Sequence, residues 1–343
     1  LEMTKKGATS ASRYEKVELV EERVDQLLAD VYMDAMGPAD PGLIVIDVDA
    51  SDVPLHGRQE GRFFHGYYDE HCYLPLYAFA GEHLLLARLR TADRDAAKGV
   101  VDELKAIVAR LRQRWSRARI LVRGDSGFCR EELMAWCEAA GHFYVVGLAR
   151  NARLEEKVAD ALAEATALHE KSKKAERVLR DFDWTTLDTW SCERRVVAKA
   201  EHLVGGKQNP RFVVTNLPRN SWSARRLYED LYCARGEAEN RIKEQQLGLF
   251  ATRLSTPTFQ GNTVRTAMSA MAYVLTCALR RIGLTGTEME SAQADTIRLR
   301  LLKVGALVRM TTRKIWVSMS SSWPGKEVFT ACAKRLTAAA AVT

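Results

Sequence analysis

Paired cysteines, Cys/His ligand spacings, long apolar runs and low-complexity tracts are all missing from this chain, and each absence removes a class of protein. Its seven cysteines are scattered, with no CxxC pair. That argues against a zinc site or a disulfide framework and for a reducing cytoplasm. The longest uncharged apolar stretch, Thr266 to Leu279, falls short of the ~18 to 20 residues of a membrane span and contains Thr, Ser and Tyr. It is expected to be a core helix, with no membrane partner. An apolar h-region of a secretory signal is also wanting at the polar N-terminus.

What remains is an ordinary globular composition, 47% hydrophobic over 343 residues, enough for one large core or two domains. The 51 Lys and Arg against 44 Asp and Glu leave a net charge of +7, which suits an anionic partner. Position matters more than the sum. Cations gather at Arg110 to Arg123 and along the C-terminal third, from Arg280 and Arg281 through Arg298, Arg300, Lys303, Arg309, Arg313 and Lys314. A phosphate backbone fits that distribution.

The most informative stretch runs from Gly42 to Asp52. Leu43 to Val48 are β-favouring on both faces, so a central strand covered on each side is predicted. Asp47 and Asp49 share one face of it, while Ile44, Ile46 and Val48 share the other. Neighbouring carboxylates at the exit of a core strand are tolerable where they cap loops, pair with Arg or bind a divalent cation.

Before that strand, Val17 to Met36 carries apolar residues at helical spacing and ends at Gly37-Pro38. After it, Pro54 to Asp69 mixes Gly, aromatic and basic residues. Tyr73 to Phe79 and His83 to Leu89 read as a hairpin, and Asp95 to Trp115 as an amphipathic helix. Arg119 to Gly124 is a second short apolar strand ending at an acid, Asp125. A helix over Glu131 to Ala140 and a buried strand over Phe143 to Leu148 follow, then a solvated helix over Asn151 to Lys174. From Val178 to Leu217 strands are expected at Leu187 to Cys192, Arg195 to Ala200 and Arg211 to Thr215. A long helix then runs from about Ala224 toward Gly248, with further helices near Ala267 to Arg281 and Thr296 to Val304. A basic hairpin is expected at Ala306 to Met310 and Lys314 to Ser318.

Strand with Asp, hairpin, helix, strand with Asp, helix, strand, β-rich insertion and long helix is the order of a ribonuclease H-like α/β fold. Such a mixed sheet brings acids from two adjacent strands together with one from a later helix. At about 100° per residue, Tyr232, Arg235, Glu239 and Gln246 share one helix face and Glu237 points away, so Glu239 is the candidate third acid. An ordinary Arg235/Glu239 pair on that face is worth only ~0.3 to 0.5 kcal/mol. Three crowded carboxylates call for hard cations, Mg²⁺ or Mn²⁺. Two such ions about 3.5 to 4 Å apart can activate a water or a 3′-hydroxyl and stabilise the leaving oxygen of a phosphodiester.

Four stretches carry a family resemblance: Asp47-Val-Asp49-Ala-Ser-Asp-Val-Pro-Leu-His-Gly57; Gln59-Glu-Gly-Arg-Phe-Phe-His-Gly-Tyr-Tyr-Asp69; Arg123-Gly-Asp125-Ser-Gly-Phe128; and Tyr232-Cys-Ala-Arg235-Gly-Glu-Ala-Glu239-Asn-Arg-Ile-Lys243-Glu-Gln. Through them the chain, from about Leu43 to about Ser320, resembles the DDE transposases of bacterial insertion sequences. More narrowly it resembles insertion-sequence family 1380, in the group with a Tyr-Arg-Glu-Lys signature. The resemblance implies Asp49, Asp125 and Glu239 as catalytic, metal-holding acids, with Asp47 a rival to Asp49 or an acid supporting it. Tyr232 and Arg235 match the signature as DNA-contacting residues. The Lys position falls at Gln246, and Lys243 could take its phosphate-contacting role. Cut-and-paste transposition is implied, with double-stranded DNA, both terminal inverted repeats and target, as partner and a homodimer assembled on it. Some members of the wider group stack a flipped base on a Trp of the β insertion, where Trp184 and Trp190 lie. Arg309 and Arg313, with Lys314, are further candidates for phosphate contact.

The expected organisation is an N-terminal helical segment at 1–41, truncated since the first residue is Leu. A catalytic core at 42–175 and 218–282, a β-rich insertion at 176–217 and a C-terminal helix and basic hairpin region at 283–343 complete it. Two alternatives stay open at this stage: a catalytically silent DNA-binding remnant, and a metal-dependent nuclease of the same fold.

Overall fold

The computed structural model describes residues 2–4 and 16–341. Its centre is one eight-stranded sheet, built because eight short runs of β-branched and aromatic residues can bury both faces at once. In chain order the strands are β1 (Leu43–Ala50), β2 (Leu76–Ala80), β3 (His83–Arg88), β4 (Arg119–Gly124), β5 (Phe143–Leu148), β6 (Glu176–Trp184), β7 (Arg194–His202) and β8 (Arg211–Thr215). Across the sheet they lie in the order β6-β7-β8-β5-β4-β1-β2-β3. β1 runs parallel to β4 and β4 parallel to β5, while β2 and β3 turn back antiparallel on the other side of β1. This is the ribonuclease H-like arrangement expected from the element order.

Helices cover both faces. On one, Ile44, Ile46 and Val48 of β1 join α2 (Val100–Arg112), α3 (Glu131–Ala139) and α4 (Ala159–Ser172) in the largest apolar core. On the other face lies a helical run of four segments, Arg226–Tyr232, Cys233–Arg235, Gly236–Lys243 and Glu244–Gly248, together called α5. Its Leu227, Tyr228 and Leu231 pack on Leu121 and Val145. Beside it, α6 (Phe259–Ala278) joins α1 (Glu21–Met36) over Tyr77, Phe79 and Leu84. Because side chains alternate along β1, Asp47 and Asp49 point to the α5 side. Among the described residues no helix is long and apolar enough to cross a membrane.

One expectation needs correction. Leu187 to Cys192 is not a strand: Thr186 Oγ1 accepts hydrogen bonds from the backbone N–H groups of Thr189 (3.2 Å) and Trp190 (2.8 Å) and curls the segment into a turn. The strand lies earlier, as β6, where Arg180 pairs with Asp160 and Glu164 of α4, and Asp181 with Arg195 of β7. Strands β6 to β8 extend the central sheet from β5, with Val145 opposite Thr215 and Thr215 opposite Arg195.

Directly after β1, three short strands, Val53–Pro54, Phe63–His65 and Glu70–Tyr73, form a separate small sheet. Near the C-terminus a hairpin of Ala306–Met310 and Ile315–Met319 is exposed along nearly its whole length, ahead of α7 (Lys326–Ala340).

Candidate catalytic centre

Parallel pairing brings the ends of β1 and β4 side by side, so the acids that terminate them meet. Asp47 faces Arg123 in that register. Both oxygens of its carboxylate are taken by the Arg123 guanidinium, with Nη2 at 2.8 Å, and Asp47 is only 3% exposed. Burial pushes the Asp47 carboxyl up, and Arg123 opposes it. Arg123 also donates from Nη1 to the carbonyl of Leu231 at 2.5 Å, fixing α5 to the sheet. Asp47 is thus committed to holding the fold.

Asp49, two residues on, is less enclosed by partners. Its Oδ1 accepts from the Ala50 N–H at 2.8 Å, and Arg235 Nη1 stands 3.5 Å from Oδ2. Burial, then the neighbouring Asp125 charge, raise its carboxyl to about 7, with Arg235 pulling the other way. Asp125 serves two purposes: its Oδ1 caps the turn Ser126–Phe128 by accepting from the Gly127 N–H at 2.8 Å, and its charge lies against Asp49. Glu239 accepts from Arg235 Nη2 at 2.5 Å and is 42% exposed at its side chain. One guanidinium therefore stands between the first and third acids.

The chosen face of α5 is met by the structure even though the helix is irregular, with wide i→i+5 turns at both ends and a tight turn at Cys233–Arg235. Gln246 Nε2 donates to Ser51 Oγ at 3.0 Å and to the Asp52 carbonyl at 3.3 Å. Tyr232 reaches the same end of the sheet against Gly147 of β5. A Cβ there would lie 2.7 Å from the Tyr232 hydroxyl and 2.8 Å from the Ser126 nitrogen, so only glycine permits the approach. Burial raises the Tyr232 hydroxyl, with Arg235 opposing. A cavity of about 290 Å³ beside Asp125 is lined by Ser126, Gly147, Arg150, Arg211, Tyr228 and Tyr232. Farther along α5, Glu244 is buried, accepting from Arg280 Nη1 at 2.8 Å and from the Ala294 N–H at 2.6 Å.

The other candidates stand apart. Lys243 is solvent-exposed. Trp190 is half-buried in the β6–β7 turn, under the Arg194 guanidinium at 5.5 Å and packed on the main core. That turn precedes Arg195, which is level with Val145, whereas Asp125 follows Gly124, level with Val146. The register thus sets it off toward the N-terminal ends of β4 and β5. Arg309 and Arg313 belong to the exposed C-terminal hairpin. Three residues of the site carried no assigned role in the sequence reading: Arg123, Gly147 and Tyr68. The Tyr68 hydroxyl is raised by burial and then by Asp52, Asp49 and Asp125. Only the run of aromatics around it gave a signal.

Hard carboxylate oxygens at Asp49 and Asp125 fit a divalent cation, since positive charge there would relieve the repulsion that raises Asp49. Among the described residues no three His, Cys, Asp or Glu side chains are gathered closely enough to hold one ion. Glu239 is held by Arg235 instead, whose guanidinium supplies the positive charge at that position.

The chain matches the family described as Transposase DDE domain group 1 over residues 6–341. It belongs to that family. A search of curated proteins finds no match. Among solved structures, this DDE domain is similar to a chain of the cryo-EM structure of a piggyBac transposase synaptic complex with hairpin DNA, at 9% identity and a TM-score of 0.38. The match covers 72% of this chain and 50% of that one, so the DDE domain spans half the length of that relative.

Proposed function

We propose that this DDE domain is the catalytic part of a transposase that cuts phosphodiesters at transposon ends and joins them to target DNA. The single observation that carries the reading is the meeting of Asp49 and Asp125 at the ends of parallel strands β1 and β4, with Glu239 on the facing helix tied to Asp49 through Arg235. Asp49, Asp125 and Glu239 would hold Mg²⁺ or Mn²⁺, two ions in the full reaction, which when bound supply Lewis acidity to the scissile phosphate. The protein's own groups do the rest. Arg235, released from its carboxylates, would take a phosphate oxygen, and Tyr232 walls the cleft beside Asp125. Lys243, Arg309 and Arg313, all exposed, would be phosphate contacts farther out. Trp190 as a base-stacking residue would need the β6–β7 turn to move.

The quoted sequence stretches support a place in insertion-sequence family 1380, acting on double-stranded DNA as a homodimer in the bacterial cytoplasm. Division into 1–41, the core at 42–175 and 218–282, the addition at 176–217 and the C-terminal region at 283–343 is part of the same proposal. The engagement of Glu239 by Arg235 favours a second reading, a DNA-binding protein without turnover.

Strand transfer with Mg²⁺ on the flanking repeat ends separates the two. Asp49→Asn, Asp125→Asn and Glu239→Gln should each lower product formation on the order of 10³-fold while DNA affinity is retained. Wild type that binds but never cuts supports the second reading, and activity surviving all three substitutions removes the first.

A further inference from the structure

Past the catalytic acids, α5 runs into a loop whose charges nothing in the chain answers. Phe250, two residues after α5 ends at Gly248, has a φ of +60°, a left-handed backbone that a bulky side chain rarely adopts. Its neighbours hold it there. Leu249 packs inward with Tyr77 and Ile242, and Leu254 with Val53 and Leu55. The Ala251 N–H donates to the Gln245 carbonyl at 3.2 Å, and the Arg253 N–H to the Phe250 carbonyl at 3.0 Å. Phe250 itself stays 37% exposed between these anchors. A strained residue fixed from both sides points to a use for its ring.

Two arginines from different elements lie over that ring. The Arg253 guanidinium is 4.0 Å from its centroid and that of Arg298 4.6 Å. Arg298 arrives on the helical segments Ala294–Ile297 and Arg298–Leu302, whose Ile297 and Leu301 are buried. Those segments press on the end of α5, since a Cβ at Gly248 would lie 3.2 Å from the Asp295 nitrogen. A third cation, Arg265 of α6, donates to the Arg253 carbonyl at 2.9 Å. Among the described residues no carboxylate pairs with any of the three, whereas Arg88, Arg123, Arg194, Arg195 and Arg280 each hold at least one. The Arg298 Nε is buried without an acceptor. Guanidinia gathered with no counter-charge repel one another until an anion is shared between them. A ring that holds two of them in place leaves their planar forks ready for phosphate oxygens.

We propose that Arg253 and Arg298, stacked on Phe250 and backed by Arg265, form a clamp for backbone phosphates of a DNA duplex lying along α5. The inference rests on the function proposed above and adds to it a duplex contact outside the catalytic centre. Glu239 and Phe250 are separated by roughly 15 Å along the helical run at ~1.5 Å per residue. That span corresponds to about four or five nucleotides at ~3.4 Å each. The clamp positions the duplex and does not read its bases. A transposon end and target DNA offer it the same phosphates.

The test is a salt titration of binding by the full chain, with Ca²⁺ in place of Mg²⁺ to withhold cleavage. Two duplexes are used, the flanking repeat end and a mixed sequence standing in for target. Each lost phosphate contact flattens the slope of log affinity against log salt by about 0.9. Arg253→Gln with Arg298→Gln should flatten it by roughly 1 to 2 and weaken binding on the order of tenfold. The duplex that shows the change is the one the clamp holds. Melting without DNA checks folding, and Arg253→Gln alone, at an exposed position, should give about half the change in slope. Neutral methylphosphonates about four or five nucleotides from the cleaved bond should weaken wild type and have no further effect on the double variant. A slope that ignores the double substitution on both duplexes, as expected if the clamp held an acidic segment of another protein, overturns the clamp and leaves the catalytic reading standing. So does a double variant as sensitive to the methylphosphonates as wild type. Wild type that binds neither duplex removes both.

Discussion

Asp47 and Asp49 sit two residues apart on the same face of the same strand, each beside an arginine, yet they do opposite things. Asp47 has a guanidinium from the adjacent strand on both its oxygens, and that guanidinium is itself committed to the Leu231 carbonyl. Asp49 has one arginine at 3.5 Å that also serves Glu239. The closed pair is an internal fastening. The open one is a charge left incompletely answered, the deficit that the proposed cation and phosphate site would need. Burial alone does not separate a structural acid from a reactive one; the number and commitment of its partners does.

The sharpest way to break this contrast is Arg123→Ala. It strands Asp47 as a buried unpaired carboxylate and frees α5 at Leu231, and should cost about 3 to 5 kcal/mol in urea unfolding. A loss no larger than that of a surface substitution would mean that the closed pair is not structural. Gly147→Ala probes the wall of the open site. The added methyl meets the Tyr232 hydroxyl and the Ser126 nitrogen, so a destabilisation of roughly 1 to 3 kcal/mol is expected. Adding Tyr232→Phe, which removes the nearest atom, should restore part of it; no recovery would place the strain in the turn backbone.

The smallest expected effect is in pH. Asp49 has a folded value of about 7 against an ordinary 3.8, so the unfolded chain loses this proton first. The stability contributed by protonated Asp49 is full below about pH 4 and drains away as pH rises to about 7. In EDTA, Asp49→Asn should therefore melt several degrees above wild type at pH 8, given roughly 2 to 4 °C per kcal/mol in proteins of this general size. The two should converge toward pH 4. A variant that melts below wild type at pH 8 would show that Asp49 is already well compensated.

Much of this was legible in the residues. An apolar run ending in carboxylates marks β1 and β4 because a buried strand must end where its first charges emerge, and the α5 face holding Tyr232, Arg235, Glu239 and Gln246 survives even the irregular turns of that helix. The choice between Asp47 and Asp49 was not legible, since it depends on Arg123 lying opposite Asp47 across the sheet, a matter of register between segments 76 residues apart. β6 was hidden for a similar reason: its charges are answered by α4, β7 and Arg219, so it breaks the apolar alternation that identifies a strand. Gly147 gave no local sign at all, because its necessity comes from a tyrosine that approaches from another element.

The Glu244 carboxylate, shared between Arg280 after α6 and the amide of Ala294, acts as a rivet through three layers of chain. It lies five residues beyond Glu239 on the same helical run. The chain from Ala294 onward, which leads to the exposed hairpin at 306–319, is thereby anchored to the same helical run that carries Glu239.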